Sequence, residues 1–97
     1  MTDYVHEHFA KYPSQPVRPS IKMKNGKTIS VQASAGHYCS PRKDDAEYYD
    51  TVEVWCWTTQ DVPRAFKPFT DDKNHPAGWV PVDIVNQYIA KNGGAAQ

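Results

Sequence analysis

A histidine and a cysteine two positions apart are the side chains of this sequence that most resemble reactive groups. His37 and Cys39 lie in the run HYCSPR, and residues two apart in a strand point to the same face. A thiolate activated by a neighbouring imidazole is the chemistry that such a pair can perform. The pattern offers no third residue to orient the imidazole, and Cys39 does not sit at a predicted helix start. A thiol- or metal-dependent enzyme centred on these two residues is therefore kept as an alternative.

A zinc site would need more ligands at suitable spacing. His37, Cys39, Cys56 and His75 could be combined, but the paired Cys-x-x-Cys or His-x-x-x-His spacing of structural zinc is absent. The HEH cluster at positions 6–8 lacks the H-E-x-x-H spacing that brings two imidazoles to one metal. We therefore predict no catalytic residue, no metal and no cofactor.

The charge balance argues against a polyanionic partner. Eleven basic residues offset eleven acidic ones, so no net field attracts nucleic acid or an anionic membrane. Lys22, Lys24 and Lys27 cluster at one predicted hairpin, but acidic residues are interleaved with the next basic pair, Arg42 and Lys43. Lysines at a hairpin tip also serve to protect a sheet edge. Direct nucleic-acid binding is not expected.

Two alternating runs joined by Asn25-Gly26 form the strongest local pattern. A two-residue turn would set apolar side chains opposite polar ones. A three-residue loop with Gly26 in a bulge pairs Ile21 with Ile29 instead, and this register is preferred. It gathers the apolar side chains on one face: Ile21, Met23, Ile29, Val31 and Ala33. The other face then carries Lys22, Lys24, Ser30 and Gln32.

Two further strands follow in the second half of the chain. TVEVWCW, at positions 51–57, predicts a strand with Val52, Val54 and Cys56 on the core face and Glu53, Trp55 and Trp57 on the other. GWVPV predicts a short fourth strand, which Pro81 places at an edge or a strand end. The polar segment between the second and third strands is expected to form the distal part of a long hairpin.

Helical spacing appears at both ends of the chain. Residues 2–12 predict a short helix capped by Thr2, followed by a proline-rich connector. VDIVNQYIAK predicts a C-terminal helix that stops at Gly93. Residues 58–78 are expected to be irregular, with one helical turn at VPRAF.

These elements predict a small α+β fold. An antiparallel sheet of three to four strands packs one face against the C-terminal α-helix. The 97 residues allow one domain, expected over residues 19–94, with a short helix and a Pro-rich extension over residues 1–18. No apolar run reaches the roughly 20 residues needed to cross a bilayer. Without a secretory signal, the two cysteines are expected as free thiols in a reducing cytosol.

Aromatic side chains provide the remaining functional signal. They make up 12% of a chain that is only 39% hydrophobic, so some of the rings should be exposed. Tyrosine, tryptophan and arginine dominate the energetics of protein interfaces. The residues of these types, with two phenylalanines, are Tyr38, Arg42, Tyr48, Tyr49, Trp55, Trp57, Phe66, Phe69 and Trp79. The anchors that we predict for protein binding are Tyr38, Arg42, Tyr48, Tyr49, Trp55 and Trp57.

Three runs of the sequence resemble a group of small accessory proteins encoded in tailed phages and prophages. They are MKNGKTISVQASAGHYCSPR, YDTVEVW and WVPVDIVNQYIAKNGG, and the similarity covers roughly residues 19–94. Its most specific element is VQAS followed by HYCSPR. The N-terminal residues look like an extension to the pattern of the group.

The resemblance implies that the protein functions by binding another macromolecule. Small phage accessory proteins often bind and block a host factor, and anti-CRISPR and other anti-defence proteins are a member class. We therefore predict a non-enzymatic inhibitor that binds a host protein or ribonucleoprotein defence complex, plausibly a CRISPR effector, in the host cytoplasm. A homodimer is compatible with this role. The alternatives are the small enzyme centred on His37 and Cys39 and a structural or assembly component of the virion.

Overall fold

A computed structural model describes residues 2–13, 17–57, 62–71 and 74–96 of the chain. Within these ranges seven helices and strands follow one another. They are α1 (Tyr4–Lys11), β1 (Ile21–Lys22), β2 (Thr28–Gln32), β3 (Thr51–Trp55), a 3-10 helix (Arg64–Phe69), β4 (Ala77–Pro81) and α2 (Val82–Lys91).

The four strands form one antiparallel sheet in the order β1-β2-β3-β4. The apolar stripe of α2 is buried in the same core as the apolar face of the sheet, through Val82, Val85 and Ile89. The predicted α+β fold with a C-terminal helix is therefore confirmed, and β4 is an edge strand as Pro81 indicated. None of the helices in the described ranges has the length and apolar character to cross a membrane.

The first hairpin adopts the predicted register. Ile21 pairs with Ile29, and the Met23 N–H donates to the Lys27 carbonyl oxygen at 2.8 Å. Gly26 takes a φ of +92°, a left-handed conformation that glycine adopts without the steric cost of a side chain. The apolar face of the hairpin is buried as predicted. Gln32 lies on the predicted polar face of the hairpin, opposite the apolar face, and its side chain is nevertheless buried.

The third strand is two residues shorter than predicted. β3 ends at Trp55, and Trp57, two residues beyond it, is buried at 1% exposure. Its ring lies 6.4 Å from the ring of Phe66, which in turn lies 4.9 Å from the ring of Tyr88 on α2. The Trp57 ring also stacks on the half-buried ring of Trp55, 5.4 Å away, so the two indoles lie on one side and Trp57 is the more deeply covered of the two. Trp57 is consequently a core residue.

The segment between β3 and β4 is partly helical. The expected turn at VPRAF, residues 62–66, overlaps a longer 3-10 helix that begins at Arg64, and Phe66 of this helix is buried. Residues 58–61 and 72–73 of this segment lie outside the described residues.

The N-terminal helix forms where it was predicted but with a different cap. Asp3, rather than Thr2, is the N-cap, because its Oδ1 accepts the backbone N–H of His6 at 3.1 Å. Val5 and Phe9, one turn apart, are buried in the same core as the sheet. The helix is therefore held by the core, as expected of two turns that would be marginal alone.

Buried hydrogen bonds fix this N-terminal extension to the rest of the fold. The Val5 N–H donates to Oδ1 of Asn86 on α2 at 3.1 Å. Gln32 accepts the Arg18 N–H at 2.7 Å and donates Nε2 to the Arg18 carbonyl oxygen at 2.7 Å. The buried Arg18 guanidinium donates to the Ala33 carbonyl oxygen at 2.6 Å. Hydrogen bonds therefore connect residues on the two sides of the boundary predicted at residue 18.

The C-terminal tail covers the outer edge of β1. The Lys24 N–H donates to the Gly94 carbonyl oxygen at 2.9 Å, and the Ala96 N–H donates to the Lys22 carbonyl oxygen at 2.7 Å. Met23 and Ala95 form an antiparallel bridge between these bonds. An unpaired strand edge is a template for aggregation, and the tail removes this one.

Candidate functional site

The structure divides the six predicted anchors by their exposure. Three are exposed: Tyr38, Arg42 and Tyr48. Trp55 is half-buried. Two are buried, each at 1% exposure: Tyr49 and Trp57. A side chain that is enclosed by its own fold offers no area to a partner, so Tyr49 and Trp57 are removed from the predicted contact surface.

Tyr49 has a structural role that explains its burial. Its hydroxyl donates to the Lys43 carbonyl oxygen at 2.6 Å and accepts the Ala46 N–H at 3.1 Å. Its ring meets the ring of Phe9 edge-on, with 5.6 Å between centroids. Tyr49 therefore holds the loop that contains Lys43 and Ala46 against the N-terminal helix.

Tyr48 points outward and stacks on the N-terminal helix. Its ring lies parallel to the His6 imidazole, 4.2 Å between centroids and 14° between planes. The His6 ring is held at both nitrogens, since Nδ1 donates to Oδ2 of Asp3 at 2.8 Å and Nε2 accepts the Tyr49 N–H at 3.0 Å. Slight burial and the carboxylates of Asp3, Asp83 and Asp50 raise the pKa of Tyr48. Tyr48 thus belongs to a cluster with α1.

Tyr38 and Arg42 meet a third exposed residue, Trp79, in what we call the Trp79 stack. The rings of Tyr38 and Trp79 lie 4.9 Å apart with 26° between their planes. The Arg42 guanidinium lies over the Tyr38 ring, 5.4 Å from its centroid, within the range of a cation–π contact. Trp79 is 50% exposed. The stack therefore joins three residue types that are enriched in binding hot spots.

A β-bulge in β4 positions Trp79. Gly78 and Trp79 together face the single residue Glu53 of β3, where the register of the two strands shifts. Trp79 has a φ of +50°, which is rare for a bulky residue and costs roughly 1–3 kcal/mol. The bulge turns an edge residue outward and maintains that strained backbone.

Tyr38 is clamped to both strands at this bulge. Its N–H donates to Oε2 of Glu53 at 3.0 Å, and its carbonyl oxygen accepts the Trp79 N–H at 2.9 Å. A Cβ on Gly78 would lie 3.0 Å from the Tyr38 Cβ, closer than unstrained atoms approach. Gly78 therefore allows the close contact, and the geometry of the Trp79 stack is set by the backbone.

An open groove of about 620 Å³ runs beside the Trp79 stack. Its walls are mainly aromatic and proline rings. The lining also includes the exposed carboxylate of Asp71 and the exposed imidazole of His75. The lining residues are Tyr38, Pro68, Phe69, Thr70, Asp71, His75, Pro76, Gly78 and Trp79. Apolar walls with a few polar groups are typical of binding sites.

A second cleft, of about 680 Å³, lies between the first hairpin and α2 and includes Lys27, Cys56 and Tyr88. Burial raises the pKa of Cys56 to about 11 and the pKa of Tyr88 to about 12, and the two side chains are hydrogen-bonded to each other. Both groups therefore stay protonated at neutral pH. We favour the groove beside the Trp79 stack as the binding site, although it is slightly smaller, because it is bordered by exposed rings.

The two residues of the enzymatic alternative, His37 and Cys39, each make a hydrogen bond to Ser34. Nδ1 of His37 is hydrogen-bonded to the Ser34 hydroxyl at 2.6 Å. The Cys39 sulfur is 1% exposed and lies 3.3 Å from the Ser34 carbonyl oxygen and 3.5 Å from that of Pro41. Burial is the main cause that raises the pKa of this thiol. A protonated, enclosed sulfur is a poor nucleophile.

The ligands considered for zinc are not gathered in the described part of the chain. Within residues 2–13, 17–57, 62–71 and 74–96, no group of three or more His, Cys, Asp or Glu side chains could hold a metal ion. His6 is engaged with Asp3, and His8 donates Nε2 to the Pro19 carbonyl oxygen at 2.7 Å.

The comparisons with known proteins leave the site to be interpreted from its own geometry. The chain matches no family model, no curated protein and no solved structure. The class that the fold and site define is therefore a small α+β protein with an exposed aromatic stack and an adjoining groove.

Two residues at important positions were not singled out by sequence reasoning. Trp79 was in the wider aromatic set but not among the six anchors, and the Gly-Trp pair before Pro81 in an edge strand was the signal for a bulge. The sequence places Arg18 within the predicted proline-rich connector and indicates no role for it. A lone arginine in a proline-rich run beside a strand indicates nothing on its own, because its partners are carbonyl oxygens distant in sequence.

Proposed function

We propose that the protein acts without catalysis, by binding a protein partner through the Trp79 stack and its groove. The observation that carries this proposal is a half-exposed tryptophan held in a left-handed backbone conformation by a β-bulge. Backbone strain of this kind persists only where the surrounding structure enforces it, and it concentrates at functional sites. A ring that served only packing would gain nothing from being strained and left in solvent.

The stack is also arranged so that binding costs little conformational entropy. Trp79 and Tyr38 are fixed by each other and by two hydrogen bonds to the backbone of Tyr38. A side chain that is ordered before association loses less freedom when a partner arrives. Rigid aromatic anchors of this type supply large contact area in interfaces.

For the biological role, we propose inhibition of a host defence complex in the host cytoplasm by direct contact. The support is the resemblance to phage accessory proteins together with a contact surface built from Tyr38, Arg42 and Trp79. Of the six anchors, Tyr38 and Arg42 belong to this surface, and Trp79 replaces the buried Tyr49 and Trp57. Tyr48, which stacks on His6 of α1, and the half-buried Trp55 are not part of this surface.

The binding proposal is tested by partner capture followed by quantitative titration. Tagged protein is used to capture a partner from a lysate of a bacterium with an active CRISPR system, and the partner is identified by mass spectrometry and purified. Calorimetric titration then compares the wild-type chain with Trp79→Gly and Tyr48→Ala. We expect Trp79→Gly to weaken binding by about thirtyfold, the loss typical of a hot-spot truncation. Equal affinity of all three proteins would reject the Trp79 stack as the contact surface.

The inhibitory role has its own test. Plasmid interference is measured in the same host with the wild-type protein, Trp79→Gly or an empty vector. Restored plasmid survival with the wild type and not with Trp79→Gly is expected. If the wild-type protein leaves interference unchanged while a partner is still bound through the stack, the binding function stands and the proposed target is wrong.

A further inference from the structure

We propose that the groove beside the Trp79 stack takes up an extended, proline-containing segment that carries a basic residue. This inference rests on the proposed function, because it specifies which kind of segment the partner inserts. Two properties of the groove define the occupant: the flat rings that form its walls and the sign of the charge at its rim.

The walls suit a polyproline II segment. Three aromatic rings and two proline rings line the groove: Tyr38, Phe69, Trp79, Pro68 and Pro76. A polyproline II helix has no internal hydrogen bonds and presents its proline rings outward, where they pack on aromatic faces. Such a segment is already ordered when free, so docking on a rigid groove loses little entropy.

The arrangement of the rings does not suit an isolated cation. A cage for an ammonium group needs aromatic faces that are separated and directed at the ion. Here the rings of Tyr38 and Trp79 cover each other at 4.9 Å, so no cation fits between them. A flat, ring-containing chain that lies along the stack uses the same surface without separating the rings.

The charge of the rim selects a basic flank. Asp71 is exposed and lines the groove, whereas the nearby Arg42 guanidinium is engaged over the Tyr38 ring and is not among the lining residues. A carboxylate at the rim attracts a cationic side chain and repels an acidic one. The attraction should fall as salt is added, because both charges are exposed.

The direct test uses a fluorescein-labelled peptide, Pro-Pro-Ala-Pro-Pro-Ala-Arg, titrated with the full chain and followed by fluorescence anisotropy. Two control peptides replace the arginine by glutamate or every proline by glycine. We expect saturable binding of the first peptide and at least about tenfold weaker binding of each control. No binding, or equal binding of the glycine peptide, would overturn the assignment of a proline-containing occupant.

Variants locate the peptide in the groove. Trp79→Gly should weaken binding by about thirtyfold, and Phe69→Ala provides a second site variant should the first fail to fold. Asp71→Asn should remove the preference for arginine over glutamate while the proline dependence remains. Tyr48→Ala, which truncates an exposed tyrosine outside the groove, should bind as the wild type does. Binding that is unchanged in both Trp79→Gly and Phe69→Ala would place the peptide elsewhere and contradict the inference.

The outcomes also separate this inference from the proposed function. If the peptide does not bind but the captured partner still requires Trp79, only the proline-containing occupant is wrong. The chain has its own proline-rich segment at positions 13–19, so sedimentation of the wild type is measured at several concentrations. A dimer that Trp79→Gly abolishes would show that a second copy of this chain covers the groove and would overturn its assignment to a segment of a different partner.

Discussion

Trp57 and Trp79 show that the same side chain serves opposite purposes in two regions of this molecule. Trp57 follows a strand end and is 1% exposed in a cluster with Phe66 and Tyr88. Trp79 sits in a bulge of the edge strand and is 50% exposed beside Tyr38. The backbone around each ring, rather than the residue type, decides whether it stabilises the fold or remains available to a partner.

The two regions differ in what their loss should cost. The buried cluster excludes water, so its removal should reduce the free energy of unfolding. The Trp79 stack requires a strained backbone conformation at Trp79, so its removal should affect binding far more than the free energy of unfolding. The predictions below test this division.

The largest effect is expected for truncation in the buried cluster. Trp57→Ala should lower the free energy of unfolding by about 3–5 kcal/mol, because it removes a large buried ring and leaves a cavity. Trp79→Gly should change it by less than about 1 kcal/mol, since the lost stacking is offset by relief of the left-handed strain. Urea unfolding followed by circular dichroism measures both. Equal destabilisation by the two substitutions would contradict the division.

A thiol beside Trp57 provides a chemical test of the same region. The pKa of Cys56 is raised by burial from 9.0 to about 11, so its thiolate fraction near neutral pH should be about a hundredfold lower than that of an ordinary cysteine. Alkylation by iodoacetamide, read by peptide mass spectrometry, should be slower than in the urea-unfolded chain by at least this factor. Reaction of Cys56 at the unfolded rate would show that the cluster is open.

Neighbouring tyrosines offer a matched pair with a smaller effect. Tyr49→Phe removes a hydroxyl that donates to the Lys43 carbonyl oxygen and accepts the Ala46 N–H, so it should lower the free energy of unfolding by about 1–2 kcal/mol. Tyr48→Phe removes the hydroxyl of an exposed ring and should leave stability within about 0.5 kcal/mol of the wild type. Urea unfolding of the two variants gives the comparison. A larger loss for Tyr48→Phe would contradict the assignment of Tyr49 as the structural residue.

The smallest effect is expected at the helix cap. Burial acts to raise the pKa of Asp3, but hydrogen bonds from the His6 backbone and from the side chains of Asn86 and His6 outweigh it, so the pKa lies below 3.8. The ionised carboxylate therefore favours the folded state. The contribution of this carboxylate to the free energy of unfolding is fully present above pH 3.8, the pKa of an ordinary aspartate. It is lost as the pH falls through the lower pKa of Asp3 in the folded protein.

Asp3→Asn keeps the capping oxygen but removes the charge. At neutral pH it should cost less than about 1 kcal/mol, because the carboxylate is partly exposed and screened by solvent. The difference from the wild type should shrink in urea unfolding at about pH 3. A difference that grows on acidification would show that the pKa of Asp3 is raised in the folded protein.

Local sequence patterns were sufficient to predict α2 and the register in which β1 pairs with β2. The Asn25-Gly26 pair and the alternation around it predict one loop length, and the 3.6-residue spacing of Val82, Val85 and Ile89 predicts the helix that covers the sheet. Both patterns act within a few residues of chain. They determine the fold class before any long-range contact is known.

The division between buried and available rings could not be predicted in the same way. The alternation of TVEVWCW predicts Trp55 and Trp57 on one face, but it does not predict that Phe66 from a later segment packs beside Trp57, which is buried while Trp55 is half-buried. The exposure of Trp79 depends on a bulge opposite Glu53; the Gly78-Trp79 pair marks its place in the sequence, but the pairing with β3 that forms it is long-range. Two of the three residues of the Trp79 stack, Tyr38 and Arg42, were therefore predicted as anchors, and Trp79 was not.

The affinity of the purified partner for Trp79→Gly, compared with the wild type and with Tyr48→Ala, tests the central claim most directly. If the Trp79 stack is the contact surface, the glycine variant should bind about thirtyfold more weakly while its unfolding curve stays close to that of the wild type. Wild-type affinity in Trp79→Gly, with the loss found in Tyr48→Ala, would contradict the account and move the contact surface to α1.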